Sequence, residues 1–381
     1  MHQPVRTRSL VLLLSLMVAG ATGLVFAPSR VQEEGSVPLP GTRPLLTIAH
    51  EILDIEARAL PTSAAQRSLL DATIANAAAS VRGQAHQWQK LEPREQALSV
   101  LQIIAGSLRD GRFVYPGRGS VPTLHDALTP VTVDGAGLER LIQAPENAQA
   151  ERVLRGNPRG VFHVADCDIF SILYVAIGQA LGLPIAMVEL PPPAFGPRHV
   201  YVRMSTLDGE HVAWEAMSGT ERDSAALDAR FFAGATMPLK QAQTARAFAM
   251  PLSHDEMLGY AHTILGEVWQ GLGADDRALA AYQASIAKRP SAPMAYNEAA
   301  WLLATSSNPR VRNASLAFEY AKTLISLWPS AVHFDTMAAA YAASGEFKAA
   351  VNAQGTAIAS TNPHDPRLAE FRRRCVSYSS N

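Results

Sequence analysis

Apolar residues recur along this chain with two periods, one of three to four residues and one of two, and the changes between them divide it into regions. From Leu45 to about Leu108 the helical period holds. Ile48, Ile52 and Ile55 share one stripe, and Leu98, Leu101, Ile104, Ala105 and Leu108 share another. A helical leader is predicted over 45–150, interrupted by GRFVYPGRGSVP, whose glycines lack the Lys-Ser/Thr ending of a phosphate-binding loop. A further helix is predicted after Asp166, where Ile169, Leu173, Ala176, Ile177 and Ala180 form a stripe closed by Gly182 as C-cap and Pro184 beyond. The period then shortens. IAMVEL reads as a strand, PPPAFGP as a loop, and HVYVRM and HVAWEAM as strands joined through STLDGE. From about residue 257 to 375 the helical period returns. The pattern predicts an α+β protein: a small antiparallel sheet on a cysteine-bearing helix, with a helical leader before it and an all-α array after it.

The middle region holds the candidate chemistry. With Asp166 as N-cap, Cys167 falls in the first turn of its helix, where unpaired backbone amides and the helix dipole favour a thiolate. Asp166 and Asp168 oppose this, although a capping carboxylate is partly neutralised by the amides it bonds. His199 opens one strand and Glu215 lies on the next, so the order supplies a nucleophile, a base and an orienting carboxylate. The hairpin decides whether they meet. A two-residue Asp208-Gly209 turn sets Val202 opposite Glu215 and turns Glu215 away from His199. A three-residue Leu207-Asp208-Gly209 loop, with Gly209 left-handed, sets Tyr201 opposite Glu215 and makes His199 and Glu215 diagonal neighbours on one face. Trp214 is expected on the other face, in the sheet–helix core. Each residue also has a plain structural role open to it: Cys167 as a small core residue, His199 as a loop-exit cap, Glu215 as a solvated strand residue. His163 and His211 are read as surface or hydrogen-bonded histidines.

Composition narrows the classes. The 381 residues are 48% hydrophobic, enough for a real core, and 33 basic residues against 34 acidic ones leave no charge to draw the chain to nucleic acid. Residues 1–30 place Arg6 and Arg8 before an apolar run over 10–26, which reads as an export signal. Ala19 and Ala21 form an A-x-A cleavage site, while the run is nearly long enough to stay as a membrane anchor. Signal peptide and anchor both stand open, and either sends the protein to the periplasm or cell envelope. Residues 31–44, with three prolines and two glycines, read as a linker. In an oxidising compartment Cys167 and Cys375 either pair or stay free. HEILDIE at His50 lacks the second histidine of a zinc helix, and no acidic cluster calls for calcium, so no metal or cofactor is expected.

The carboxy-terminal region has an internal period of about 34 residues. Leu265, Gly266, Trp269, Ala278, Tyr282 and Pro290 make one unit; Ala299, Ala300, Leu303, Ala317 and Ala321 fall in a second, with SSNPRVRN lengthening its turn; Phe334, Ala338, Tyr341, Gly345, Ala350, Ala357 and Pro363 fall in a third. Over 257–375 the chain resembles tetratricopeptide repeat proteins. The resemblance implies a partner protein or peptide in the concave face of the array; the plain alternative is a helical brace for the preceding domain.

Residues 160–219 resemble the catalytic core of the transglutaminase-like superfamily, the papain-related cysteine fold. Cys167 matches the nucleophile, His199 in RHVYVRM the base and Glu215 in HVAWEAMSG the carboxylate, within a domain over 151–250. Glu215 stands where Asp is commoner, and Met187 where the family often has Arg. The resemblance implies an acyl-thioester on Cys167 formed from a protein or peptide amide and passed to water or to an amine. The contrasting expectation is a non-catalytic scaffold in which the repeats do the work.

Overall fold

A computed structural model describes residues 46–116, 123–133, 135–156, 160–192 and 199–380; the expected export segment and linker, and most of the PPPAFGP loop, lie outside them. Among the described residues no helix is long and apolar enough to cross a membrane.

The leader contributes α1 (Ile48–Glu56), α2 (Ala64–Gly83) and α3 (Pro93–Asp110). Their starts follow from local chemistry. At α2 the Ser63 hydroxyl accepts the Gln66 amide at 3.2 Å while Gln66 Oε1 accepts the Ser63 amide at 2.8 Å, a reciprocal capping box. At α1 the Thr47 amide donates to His50 Nδ1 at 3.1 Å, and His50 Nε2 meets Asp71 at 3.0 Å. His50 is therefore a capping residue, and its place in HEILDIE needs no metal.

Two small sheets follow. Strands β1 (Phe113–Val114), β2 (Val131–Thr132) and β3 (Val161–Val164) pair in the order β1-β3-β2, with β1 parallel to β3. Chain leaving β3 passes directly into α4 (Cys167–Leu181), which Gly182 ends in a left-handed conformation, φ 67°, as its sequence position requires. Strands β4 (Ile185–Leu190), β5 (His199–Ser205), β6 (His211–Glu215) and β7 (Thr220–Arg222) form an antiparallel meander. The architecture is α+β.

Alternation along this sheet separates two apolar layers. Met187, Val200, Val202, Val212 and Trp214 face α4 in the main core; Val188, Leu190, Tyr201 and Ala213 face the helix Ser224–Phe231. The main core also takes in Ile52 of α1, Leu70 of α2, Leu101 of α3 and Tyr260 of the following array, so leader, sheet and array share one interior.

The array comprises α5 (His254–Gly271), α6 (Asp275–Lys288), α7 (Pro293–Thr305), α8 (Ala314–Leu327), α9 (Ala331–Ala343), α10 (Phe347–Ala359) and a last helix α11 (Arg367–Ser379). Close approach within the first pair depends on Gly266, where an added Cβ would lie 2.4 Å from Tyr282 Cε1. The same pair is fastened to the sheet. Arg289, just past α6 and almost wholly buried, donates to Glu189 of β4 and to the Ala247 carbonyl, each at 2.8 Å.

Candidate active site

The hairpin between β5 and β6 adopts the three-residue loop. The Thr206 amide bonds the Glu210 carbonyl at 2.9 Å, Gly209 is left-handed at φ 90°, and Val202 pairs with Trp214. Continued by one residue, this register sets Tyr201 opposite Glu215 and leaves His199 and Glu215 as diagonal neighbours on one face. They meet: His199 Nε2 lies 2.8 Å from Glu215 Oε2, with the two side chains 13% and 9% exposed. Phe231 stacks on the imidazole, ring centroids 5.5 Å apart. Among the described residues Glu215 Oε1, buried, has no hydrogen-bond partner. Burial works to lower the His199 pKa, but the charge and hydrogen bond of Glu215, with Asp168 beyond, outweigh it and hold the imidazole above its ordinary value.

The pleat sends this pair to the face away from α4, and Trp214 to the α4 face, where its Nε1 donates to the Tyr174 hydroxyl at 2.8 Å. Cys167 reaches the pair by another route. Because Thr206 and Glu210 are hydrogen-bonded partners, every second residue of β5 back to Val200 points its amide toward β6. Strand β6 ends at Glu215, one residue short of the partner Val200 would need. The Val200 amide is left free to favour the charged form of the nearby Cys167 sulfur. It thus lies at the end of the ladder, one residue along β5 from His199. Among the described residues the thiol donates to Asp168 Oδ1 at 3.4 Å, and not to His199.

The electrostatics around the thiol differ from the sequence expectation. Asp166 does hold the N-cap position, its carbonyl accepting the Phe170 amide at 3.0 Å, but its carboxylate makes no capping bond. Its charge is therefore not directed into the first-turn amides. Burial first, then Asp168, Asp166 and Glu215, push the Cys167 thiol well up, and the Val200 amide counters only part of this.

Three participants were not legible in the sequence: the Val200 amide, the Asp168 carboxylate turned onto the sulfur, and Tyr260 of α5, which donates its hydroxyl to Asp168 Oδ2. Tyr260 reads as one more core residue in its own helix. Two other histidines stand apart from this pair: His163 Nδ1 meets the Ala127 carbonyl at 3.2 Å, and His211 lies at the loop end of β6, partly exposed. Both cysteines are free. Comparison of the chain with family models, with curated proteins and with solved structures finds no match.

Proposed function

We propose that the chain is an exported, transglutaminase-like cysteine enzyme of the amide-hydrolysing or acyl-transferring class, followed by tetratricopeptide repeats that hold a protein or peptide partner. The observation that carries this reading is the buried 2.8 Å contact of His199 with Glu215 beside the Cys167 sulfur. Glu215 occupies Nε2, which leaves Nδ1 to take the thiol proton. The sulfur attacks the amide carbonyl carbon, the C–S bond forms, and the π electrons move to oxygen, which the Cys167 backbone amide at the start of α4 stabilises. Collapse expels the amine, protonated by the imidazolium, and leaves a thioester. Water or an incoming amine then releases Cys167. Glu215 keeps the ring oriented and balances its charge while it carries the proton.

A haloacetamide probe tests this on the reduced protein. Labelling at Cys167 that falls at least about tenfold in His199→Ala supports the enzyme, since a thiol with its base removed loses its thiolate fraction. The scaffold reading is favoured by one contact, the thiol proton held on Asp168. It requires labelling that His199→Ala leaves unchanged.

A further inference from the structure

The helical array makes a contact with the site that the chemistry above does not use. Tyr260 lies on α5, is buried, and donates its hydroxyl to Asp168 Oδ2, while Asp168 Oδ1 accepts the Cys167 thiol at 3.4 Å. One carboxylate thus joins the array to the sulfur, with one oxygen turned to each. The position of Tyr260 is set independently of that bond. Its neighbour Gly259 lets α5 run close against Lys288 and Arg289, where an added Cβ would lie 3.2 and 3.1 Å from their Cβ atoms. Arg289 is in turn fixed to Glu189 of the sheet.

We propose that Tyr260 is a positioning residue for the candidate nucleophile: by holding Asp168 it fixes where the thiol proton points, and it makes the array a working part of the site. The proposal rests on Cys167 as the reactive group. A phenol donor shares the charge of the carboxylate it bonds. Without it the thiol is left to satisfy more of that charge, its proton is held harder, and the thiolate forms at higher pH. Among the described residues the groups facing the sulfur are Asp166 and Asp168 at the start of α4, Glu215 of β6, Tyr115 after β1 and Tyr260 of α5, with His199 one residue from Val200 on β5.

The test uses the full chain carrying Cys375→Ser, so that Cys167 is its one thiol, and follows iodoacetamide alkylation against pH. Tyr260→Phe, which keeps the ring, moves the profile to higher pH and slows alkylation near pH 8 by about threefold or more, the factor that a thiol pKa higher by about 0.5 produces. Asp168→Asn moves it to lower pH and speeds alkylation near pH 8 by about threefold or more, for the same reason with the sign reversed. In the Asp168→Asn background Tyr260→Phe adds nothing. A profile that Tyr260→Phe leaves in place, lowers, or shifts equally in both backgrounds overturns the proposal. Should Tyr260→Phe fail to fold, carbon-13 titration of the Tyr260 phenol in Asp168→Asn decides: a lowered phenol pKa supports the contact, an unchanged one overturns it. His199→Ala in the same assay tests the enzyme reading separately, because the Tyr260 and Asp168 effects remain measurable whichever way it falls.

Discussion

Sulfur, imidazole and carboxylate are brought within one strand end, yet the charges around them pull in opposite directions. For His199 the net pull is toward the proton. Its folded pKa stands above the ordinary 6.5, so the stabilisation from the Glu215 pair is complete below that value and is lost as pH rises through the raised one. Glu215→Gln removes the charge that opposes burial, with Arg230 also acting downward, so the His199 pKa is expected to fall below 6.5. Proton NMR of the imidazole checks this, and an unmoved titration contradicts the pairing. For Cys167 the pull is also toward the proton, which makes the neutral thiol with neutral or charged imidazole the resting state. Little of this balance could be read from ADCDIF. A sequence shows that two acids flank the cysteine but not that one faces the sulfur and the other makes no cap.

At the scale of elements, several positions are decided by backbone approach. Gly178 of α4 faces Ile185 of β4, where an added Cβ would lie 2.8 Å from the Ile185 Cβ, an atom that cannot turn aside. Gly266 faces the ring of the fully buried Tyr282, whose hydroxyl is tied to Gln270 at 2.7 Å. Either glycine replaced by alanine is expected to cost about 1–3 kcal/mol in urea unfolding, as overpacking does. Gly355 in α10 gives the contrast. An added Cβ there meets nothing within 4 Å, so Gly355→Ala is expected to stabilise by about 0.5–1 kcal/mol through helix propensity. The hairpin register belongs to this scale too. Sequence left two loops open, and the left-handed Gly209 with the Thr206–Glu210 bond realises the one that joins His199 to Glu215.

Across the whole molecule, leader, sheet and array share one core, and the buried Arg289–Glu189 pair ties array to sheet. Arg289→Leu takes the cation from Glu189 in the interior and is expected to destabilise by about 3–5 kcal/mol, with much of the loss recovered when Glu189→Leu is added. Denaturant midpoints of the single and double variants check it. Stability should also fall as pH rises through neutrality. Burial pushes Glu56, which accepts the Leu124 and His125 amides, from 4.5 up to about 8, so the folded chain keeps a proton that the unfolded chain has lost. His262, pushed down to about 4 chiefly by burial, acts only below its ordinary 6.5. Between pH 6.5 and 8 the Glu56 contribution is therefore about 2 kcal/mol of lost stability, and Glu56→Gln should reduce the slope to the part that His199 contributes. The sequence by itself determined the periodic elements: the helix opening at Cys167, its stop at Gly182, the strands bearing His199 and Glu215, and the small residues along the array. Those follow from local periodicity, turn chemistry and capping, which act over a few residues. Only the tertiary structure decided that Asp168 faces the thiol, that the Val200 amide comes near the sulfur where β6 runs out, and that Tyr260 and Arg289 tie the array to the site. Those contacts join residues far apart in the chain, and no local pattern encodes which buried polar groups will meet.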